Sequence, residues 1–278
     1  MTPSKFLHTT LRRALLGALA TVSALASAQP TPDVATLLKD ADRTRMTADN
    51  LQVDTLVQTF KADGSPDKER RYTVFAQSDR RSLVLMQSPA EKGQKVLMLG
   101  DDFWLLMPSS QRPLRITPMQ KLLGDASTGD IATLSWSGDY AGTWAGEMPC
   151  ATADEPKFQE KNGLPAISAE KVCYQISLKA QRKGVTYQRI ELWVGKTHHE
   201  PVRADLYVQS DKLAKQARFV LDKPGSRDAQ VTDMLLTDQL GNGKQTRVSY
   251  LARQARTVPA EWLNPMFLAN NPGLETRP

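Results

Sequence analysis

The chain has 278 residues and a formal net charge of +6 at pH 7. The net charge falls to +3 without the basic N-terminal segment described below, which is too small to indicate a nucleic-acid-binding protein, and no basic face with interleaved aromatic residues appears. The length fits one large all-β domain or two small ones. Because neither a linker rich in serine and glycine nor an internal repeat divides the chain, we predict one domain.

The first 28 residues carry the three parts of an export signal. The basic residues of its first part are Lys5, Arg12 and Arg13. Residues 14–26 form an apolar run too short for a stable bilayer anchor, and Ala26-Ser27-Ala28 matches an A-x-A cleavage site. Gln29 follows, where a lipid-modified protein would need cysteine. We therefore predict a cleaved signal peptide over residues 1–28 and a periplasmic domain over 29–278 without a transmembrane segment. Loss of the three basic residues lowers the net charge from +6 to +3.

A helix is predicted at the start of the mature domain, over residues 33–46. Thr31-Pro32-Asp33 supplies a capping hydroxyl, a proline for the first turn and then an acid. Four apolar residues then fall on one helix face. They are Val34, Leu37, Leu38 and Ala41.

Short strands are predicted in series after this helix. Apolar and polar residues alternate over 51–59, and Asp63-Gly64-Ser65-Pro66 predicts a turn into a return strand over 69–77. Further strands are predicted wherever Gly, Pro, Asp or Ser residues end a short apolar run. These are residues 82–87, 94–99, 103–107 and 114–117.

The period of the sequence then changes. Met119, Leu122 and Leu123 have helical spacing, which predicts a short helix over 118–123. Ser127 or Thr128 is expected to cap another short helix over 127–134.

The C-terminal half alternates more regularly. Its predicted strands cover 172–179, 189–194, 202–209, 217–221, 231–236 and 247–251. About ten strands, each with one apolar and one polar face, predict a mainly β fold with a single curved antiparallel sheet. The lack of long helices between strands excludes a doubly wound α/β fold.

Several sequence blocks resemble the LolA-like outer-membrane lipoprotein-sorting family, over roughly residues 33–268. They include SPAEKGQKVLML, GDDFWLLMPSSQRPLRI, LLGDASTGDIA, CYQISLKAQRKGVTYQRIELWV and EWLNPMFL, in that order. The resemblance implies an open half-barrel with a few short helices as a lid over a hydrophobic cavity. It also implies a periplasmic carrier that binds acyl chains of a lipid or lipoprotein and helps to move them toward the outer membrane.

Apolar residues of the predicted strands and short helices are assigned to the lining of that cavity. They are Val53, Val57, Met98, Trp104, Leu106, Leu122, Leu123, Ile131, Tyr174, Leu192 and Leu206. Trp104 is the leading candidate, because the run FWLLM has no polar face and both of its sides must be covered. We expect Trp104 and the helix carrying Leu122 and Leu123 to face the same concavity.

Two other functions remain open. One is an accessory subunit of an inner-membrane exporter of lipids or hydrophobic compounds, of the RND/MMPL type, which would make that transporter a partner. The other is a phospholipid hydrolase using Ser127 or another serine with His198 or His199. No G-x-S-x-G, H-E-x-x-H, P-loop or G-x-G-x-x-G motif occurs. The two histidines are more simply explained by a polar turn, so we predict a non-enzymatic protein without cofactor or metal.

The two cysteines, Cys150 and Cys173, are expected to form a disulfide. In an oxidising compartment a bridge is favoured over two free thiols. It would close a polar loop of about 23 residues and stabilise the fold by on the order of 3 kcal/mol through chain entropy. A metal site would need more ligands than this pair.

Overall fold

The structure is a computed structural model, and it describes residues 1, 32–61, 63–123, 126–133, 135–155, 157, 161, 163, 170–241 and 243–273. Apart from Met1, the predicted export signal lies outside the described residues. So do Leu134, at the end of the second predicted short helix, and Asn242.

Short β-strands make up most of the described chain. They are β1 Asn50–Phe60, β2 Pro66–Gln77, β3 Arg81–Met86, β4 Lys95–Leu99, β5 Asp102–Leu106, β6 Leu114–Ile116, β7 Lys121–Leu123, β8 Ala126–Ser127, β9 Tyr140–Pro149, β10 Val172–Ala180, β11 Arg189–Gly195, β12 Pro201–Tyr207, β13 Leu213–Leu221, β14 Val231–Asp238 and β15 Gln245–Ala255. The described α-helices are α1 Val34–Arg43, α2 Thr128–Ala132 and α3 Pro265–Asn270. Single 3₁₀ turns lie at Pro89–Glu91 and Ala260–Leu263.

Thirteen of these strands form one antiparallel sheet. Its order is β6-β5-β4-β3-β2-β1-β15-β14-β13-β12-β11-β10-β9. Neighbouring strands are consecutive in sequence except for β1 and β15. These two strands pair in the middle of the sheet and join its first half, β1–β6, to its second half, β9–β15. It does not close, because β6 and β9 lie at its edges. The predicted open antiparallel sheet is confirmed, with thirteen strands in place of about ten; β9 was not predicted.

Helix α1 begins one residue after Asp33, which is its N-cap. The Asp33 carboxylate accepts hydrogen bonds from the Ala35 amide at 3.2 Å and the Thr36 hydroxyl at 2.6 Å. The helix ends at Arg43, three residues before the predicted end. Leu37, Leu38 and Ala41 are buried, as the apolar face of the helix predicted.

The helix predicted over residues 118–123 is wrong. β7 occupies part of this stretch and pairs with β8 in a separate two-stranded hairpin. The carbonyl groups of Pro118 and Gln120 accept hydrogen bonds from the Gly129 and Thr128 amides at the start of α2. Backbone acceptors that a helix would use internally are therefore engaged with α2. The short helix predicted over residues 127–134 is confirmed as α2, which covers Thr128–Ala132 and has Ser127 as its N-cap.

Alternate side chains of the sheet point to two faces. On the inner face, one apolar cluster runs across both halves of the sheet, from Val84 and Val96 to Leu192 and Phe219. On the outer face, Leu83, Leu97 and their neighbours pack against the C-terminal segment 258–269. The prediction of one apolar and one polar face is therefore wrong for β2–β4, which are covered on both sides. The covering of both sides of FWLLM is confirmed.

Arg80 joins the two halves of the sheet at one end. It lies in the β2–β3 turn, forms an ion pair with Asp139 and donates to the carbonyl groups of Gly100 and Gly184 at 3.0 and 3.1 Å. A Cβ atom on Gly184 would lie 2.3 Å from the Cα atom of Asp101. Only glycine permits this approach of the β10–β11 loop to the β4–β5 turn.

Candidate functional site

Short elements lie over the inner face of the sheet. We call them the cover, and they are α1, the β7–β8 hairpin, α2 and residues 135–140. They come from separate places in the sequence and are individually too short to be stable alone. Their apolar residues join the inner cluster, including Leu37, Leu38, Ile131 and Trp136. The cover is therefore held by packing and by a few buried polar contacts.

A buried ion pair anchors α2 to the sheet. The Asp130 Oδ2 atom lies 2.7 Å from Lys215 Nζ on β13, and both side chains are about 5% exposed or less. Asp130 also accepts hydrogen bonds from the Ser127 amide and hydroxyl at 2.8 and 2.7 Å, and from the Tyr187 hydroxyl at 2.8 Å. Burial acts to raise the pKa of Asp130, but the charge and hydrogen bonds of Lys215 and Ser127 outweigh burial, and the pKa lies below 3.8.

A second buried carboxylate joins α1 to residues 135–140. Asp42 accepts hydrogen bonds from the backbone amides of Trp136 at 2.7 Å and Ser137 at 2.8 Å. Burial raises the pKa of Asp42 above its ordinary value, although both hydrogen bonds and the nearby Arg45 act in the opposite direction. Asp42 is therefore a buried acid held mainly by backbone donors.

Arg45 lies inside the cover and is 5% exposed. Its guanidinium carbon stands 4.4 Å from the centre of the Trp136 ring and 5.9 Å from that of Phe219. It donates one hydrogen bond, at 3.2 Å, to the carbonyl of Thr133 just after α2. Arg45 therefore links the residues after α1 to those after α2 by stacking and by one hydrogen bond.

Two cavities flank these contacts. The larger has a volume of about 300 Å³. Its lining is mixed and includes apolar Met46, Ala76, Met98 and Ala132 as well as polar residues such as Thr47 and Ser137. The smaller, of about 50 Å³, lies deeper among Arg45, Trp136, Tyr187, Leu206 and Phe219. The larger volume is at the low end of the range for small-molecule pockets, so further space requires displacement of the cover.

Most predicted lining residues meet in the inner cluster. Those buried there are Val53, Val57, Met98, Ile131, Leu192 and Leu206, and Leu122 and Tyr174 pack against it. Of these residues, Met98 contributes to the lining of the larger cavity and Leu206 to that of the smaller one. Leu123 lies on β7, and its side chain is outside the described part of the structure.

The predicted placement of Trp104 and Leu106 is wrong. Both belong to the outer cluster, with Trp262, Leu263 and Leu268 of the C-terminal segment. Alternation along β5 turns Phe103 and Leu105 inward and therefore turns Trp104 and Leu106 outward. Trp104 and Leu122 consequently lie on opposite sides of the sheet.

Two of the candidate hydrolase residues, Ser127 and His199, are engaged in other contacts. Ser127 is fully buried, and its hydroxyl donates to Asp130. His199 Nδ1 lies 2.6 Å from Asp40 Oδ2, which ties the β11–β12 turn to α1. The predicted disulfide between Cys150 and Cys173 is confirmed, and it joins the end of β9 to β10.

Sequence reasoning missed the polar anchors of the cover. Lys215 stands two residues before Ala217, on the inner side of β13, where the inner cluster is otherwise apolar. A charged residue at an inward position was the available signal. Asp42 and Arg45 gave no such signal, because their partners are backbone groups and rings that only the tertiary fold brings near.

Within the described ranges, no group of three or more His, Cys, Asp or Glu side chains is arranged to hold a metal ion. The helices of the same ranges include none with the length and apolarity needed to cross a bilayer.

Solved structures with the same fold support a family assignment. A LolA superfamily protein from Nitrosomonas europaea is 27% identical, with a TM-score of 0.69 over 82% of this chain and 96% of that one. The model of a family of uncharacterized proteins matches residues 78–270, more than half of the chain. The chain belongs to this LolA-like family.

Two more distant structures share the fold of this LolA-like protein. A DUF1329 family protein from Desulfovibrio piger is 20% identical with a TM-score of 0.62, over 83% of this chain and 95% of that one. A domain from Vibrio parahaemolyticus, provisionally described as an outer membrane lipoprotein-sorting protein, is 14% identical with a TM-score of 0.62, over 84% and 97%. No curated protein matches the sequence.

Proposed function

We propose that this protein is a periplasmic, non-enzymatic carrier that binds acyl chains of a lipid or lipoprotein between the sheet and its cover, and helps to move them toward the outer membrane. The apolar inner cluster beneath a cover of short, separately attached elements is the observation that carries this proposal. The LolA-like family membership and the sorting role named for the Vibrio structure support it.

The energetics favour a carrier whose cover moves. Burying ~14 methylene groups of one acyl chain at about 0.8 kcal/mol each gives a gross gain near 11 kcal/mol. The cover must be displaced to admit such a chain, since the larger cavity has only about 300 Å³. That displacement separates the buried polar contacts and offsets part of the gain. Spontaneous release into water would be slow, so delivery requires a receiving membrane or protein.

A reversible lock of the cover tests this proposal. A Cβ atom built on Gly129 of α2 lies 3.1 Å from the Cβ atom of Thr186 in the β10–β11 loop. Two cysteines there, as Gly129→Cys and Thr186→Cys, need a shift of a few tenths of an ångström to reach the usual separation of about 3.5–4.5 Å in a disulfide. The bridged variant should remain folded, lose binding of a fluorescent fatty acid, and regain binding after reduction.

Two controls accompany the lock. Wild-type protein receives the same reductant, because the Cys150–Cys173 bridge is also exposed to it. Organic extracts of wild-type protein purified from the native periplasm are analysed by mass spectrometry for bound lipid. Wild-type protein that yields no lipid and binds no acyl probe would contradict the carrier role. A bridged variant that binds as well as its reduced form would contradict entry beneath α2.

A further inference from the structure

An apolar patch is exposed at the β6 edge of the sheet. Leu114 is 51% exposed and Met119 is 36% exposed, and half-buried Ile116 lies between them in sequence. These three residues are called the β6 edge patch below. Leu114 pairs with Leu105 and Ile116 pairs with Phe103, so Leu114 and Ile116 lie on the inner side of the sheet.

The β6 edge patch is continuous with the inner cluster. Ile116, together with Leu105 and Leu122, packs against that cluster. The carbonyl groups of Pro118 and Gln120, on either side of Met119, accept hydrogen bonds from the start of α2. The patch therefore lies at the rim of the sheet, beside the elements of the cover.

The edge itself is poorly suited to pairing with a strand of another protein. β6 is only three residues long, Pro113 precedes it directly and Pro118 follows two residues after it. Proline lacks the N–H donor that strand addition needs, and short edge strands bordered by proline are a known means of preventing it. A partner for this edge must recognise side chains.

Those side chains combine apolar and basic groups. Residues 108–123 contain three basic residues and no acidic residue. Arg112 and Arg115 are both exposed, and the Arg115 guanidinium lies 5.3 Å from the centre of the Trp104 ring while it pairs with Asp102. Exposed Leu and Met beside basic residues are the chemistry of surfaces that lie at a membrane interface rich in anionic lipid.

We infer that the β6 edge patch docks on a membrane surface that contains anionic phospholipid. Leu114 and Met119 enter the headgroup region, and Arg112 lies over the lipid phosphates. Docking at this rim places the edge of the cover next to the lipid. Membrane contact and acyl-chain binding are separate properties and are measured separately.

Co-sedimentation with vesicles tests the docking surface. Wild-type protein should sediment with vesicles of phosphatidylglycerol and phosphatidylethanolamine, less so at high salt, and weakly with phosphatidylcholine vesicles. The double variant Leu114→Ser, Met119→Ser should lose roughly tenfold in partitioning, because apolar side chains no longer enter the interface. Arg112→Gln keeps the apolar residues. It should weaken binding to the vesicles that contain phosphatidylglycerol and leave the weak binding to phosphatidylcholine vesicles unchanged.

A matched control uses exposed leucines elsewhere. Leu240 and Leu251 are 58% and 52% exposed, and Leu240→Ser, Leu251→Ser should bind vesicles as wild type does. The Leu114, Met119 variant should keep its melting temperature and its affinity for a soluble fatty-acid probe, which distinguishes failure of docking from failure of the carrier proposal. The inference is overturned if wild-type protein binds neither vesicle type, if the patch variant binds as wild type does, or if the patch instead mediates a dimer that the same substitutions dissociate.

Discussion

Asp130 of α2 and Lys215 of β13 are 85 residues apart in sequence, yet their charged atoms meet at 2.7 Å in the interior of the protein. The pair joins a five-residue helix of the cover to the second half of the sheet. A helix of that length has no stability of its own. Its position therefore depends on this contact, on the Tyr187 hydroxyl that shares the carboxylate, and on the burial of Ile131.

Lys215→Met should be strongly destabilising. It leaves the Asp130 carboxylate buried without its counter-charge, which typically costs about 3–5 kcal/mol. Neutralising both partners, as Asp130→Asn with Lys215→Met, should cost less than Lys215→Met alone. Urea unfolding measures both. Arg247→Met, which breaks a more exposed pair with Asp233, is the control and should cost about 1 kcal/mol or less. Equal decreases in the free energy of unfolding for Lys215→Met and Arg247→Met would contradict a special role for the buried pair.

The same pair predicts a loss of stability in acid. The pKa of Asp130 is lowered in the folded protein relative to 3.8. A lowered carboxyl pKa contributes stability that is complete above the unfolded-state pKa and is lost as pH falls below it. The free energy of unfolding of wild type minus that of the doubly neutral variant should therefore be constant near neutral pH and should decrease below about pH 3.8. Unfolding experiments over this range measure it, and a difference that grows in acid would contradict the assignment.

Asp42→Ala should loosen residues 135–137. It removes the acceptor of two backbone N–H groups, and each orphaned donor costs about 1–3 kcal/mol when buried. Hydrogen exchange at the Trp136 and Ser137 amides should accelerate. Asp40→Ala, on the same helix, loses contacts with His199 and Arg43 that lie nearer the surface and should leave those two amides protected. Unchanged exchange in Asp42→Ala would show that packing of Trp136 alone holds this segment.

Replacing both cysteines by serine should reduce the free energy of unfolding by about 3 kcal/mol, because the Cys150–Cys173 bridge restricts the unfolded chain. Peptide mapping without reductant should recover the linked pair from native protein. The inner cluster lies away from the bridge, which packs with Trp193 and Val202. Acyl-probe binding at a temperature where the variant remains folded should therefore match wild type. A large loss of affinity there would place the bridge in the binding site.

Local sequence pattern was sufficient for most strands, since alternation and turn residues act within a few positions. It predicted the buried positions of α1, and it predicted α2 with Ser127 or Thr128 as its cap; Ser127 is the N-cap. It was insufficient for β9, YAGTWAGEMP, because glycine occupies two of the four alternate positions that are half-buried in this strand. It also failed for residues 118–123, where the hydrogen bonds that Pro118 and Gln120 accept from the start of α2 override a helical spacing of three apolar residues.

The candidate site was predicted as a set of apolar residues and not as a geometry. Periodicity identified Val53, Met98, Leu192 and Leu206 as inward, because strand alternation is a local property. It could not tell which side of β5 faced inward, since FWLLM is apolar on both. The covering of its outer side by Trp262 and Leu268 is a contact between residues far apart in sequence.

The opposite orientations of two tryptophans give the sharpest test of where a ligand binds. Trp136 is 7% exposed, lines the smaller cavity and stacks on Arg45, whereas Trp104 packs in the outer cluster. If an acyl chain enters between the sheet and the cover, it displaces Arg45 from the Trp136 ring and replaces it with methylene groups. The emission of Trp136 should then change on titration with a fatty acid.

Trp136→Phe and Trp104→Phe are a matched pair of variants for this experiment. Each removes one tryptophan and keeps an aromatic ring, so each should remain folded. Trp104→Phe should retain the ligand-dependent change in emission seen in wild type, and Trp136→Phe should lose most of it while the affinity measured with a fluorescent acyl probe stays within about tenfold, the equivalent of 1.4 kcal/mol. The reverse result, with the signal lost only in Trp104→Phe, would place the ligand on the outer face, beneath the C-terminal segment, and would contradict binding under the cover.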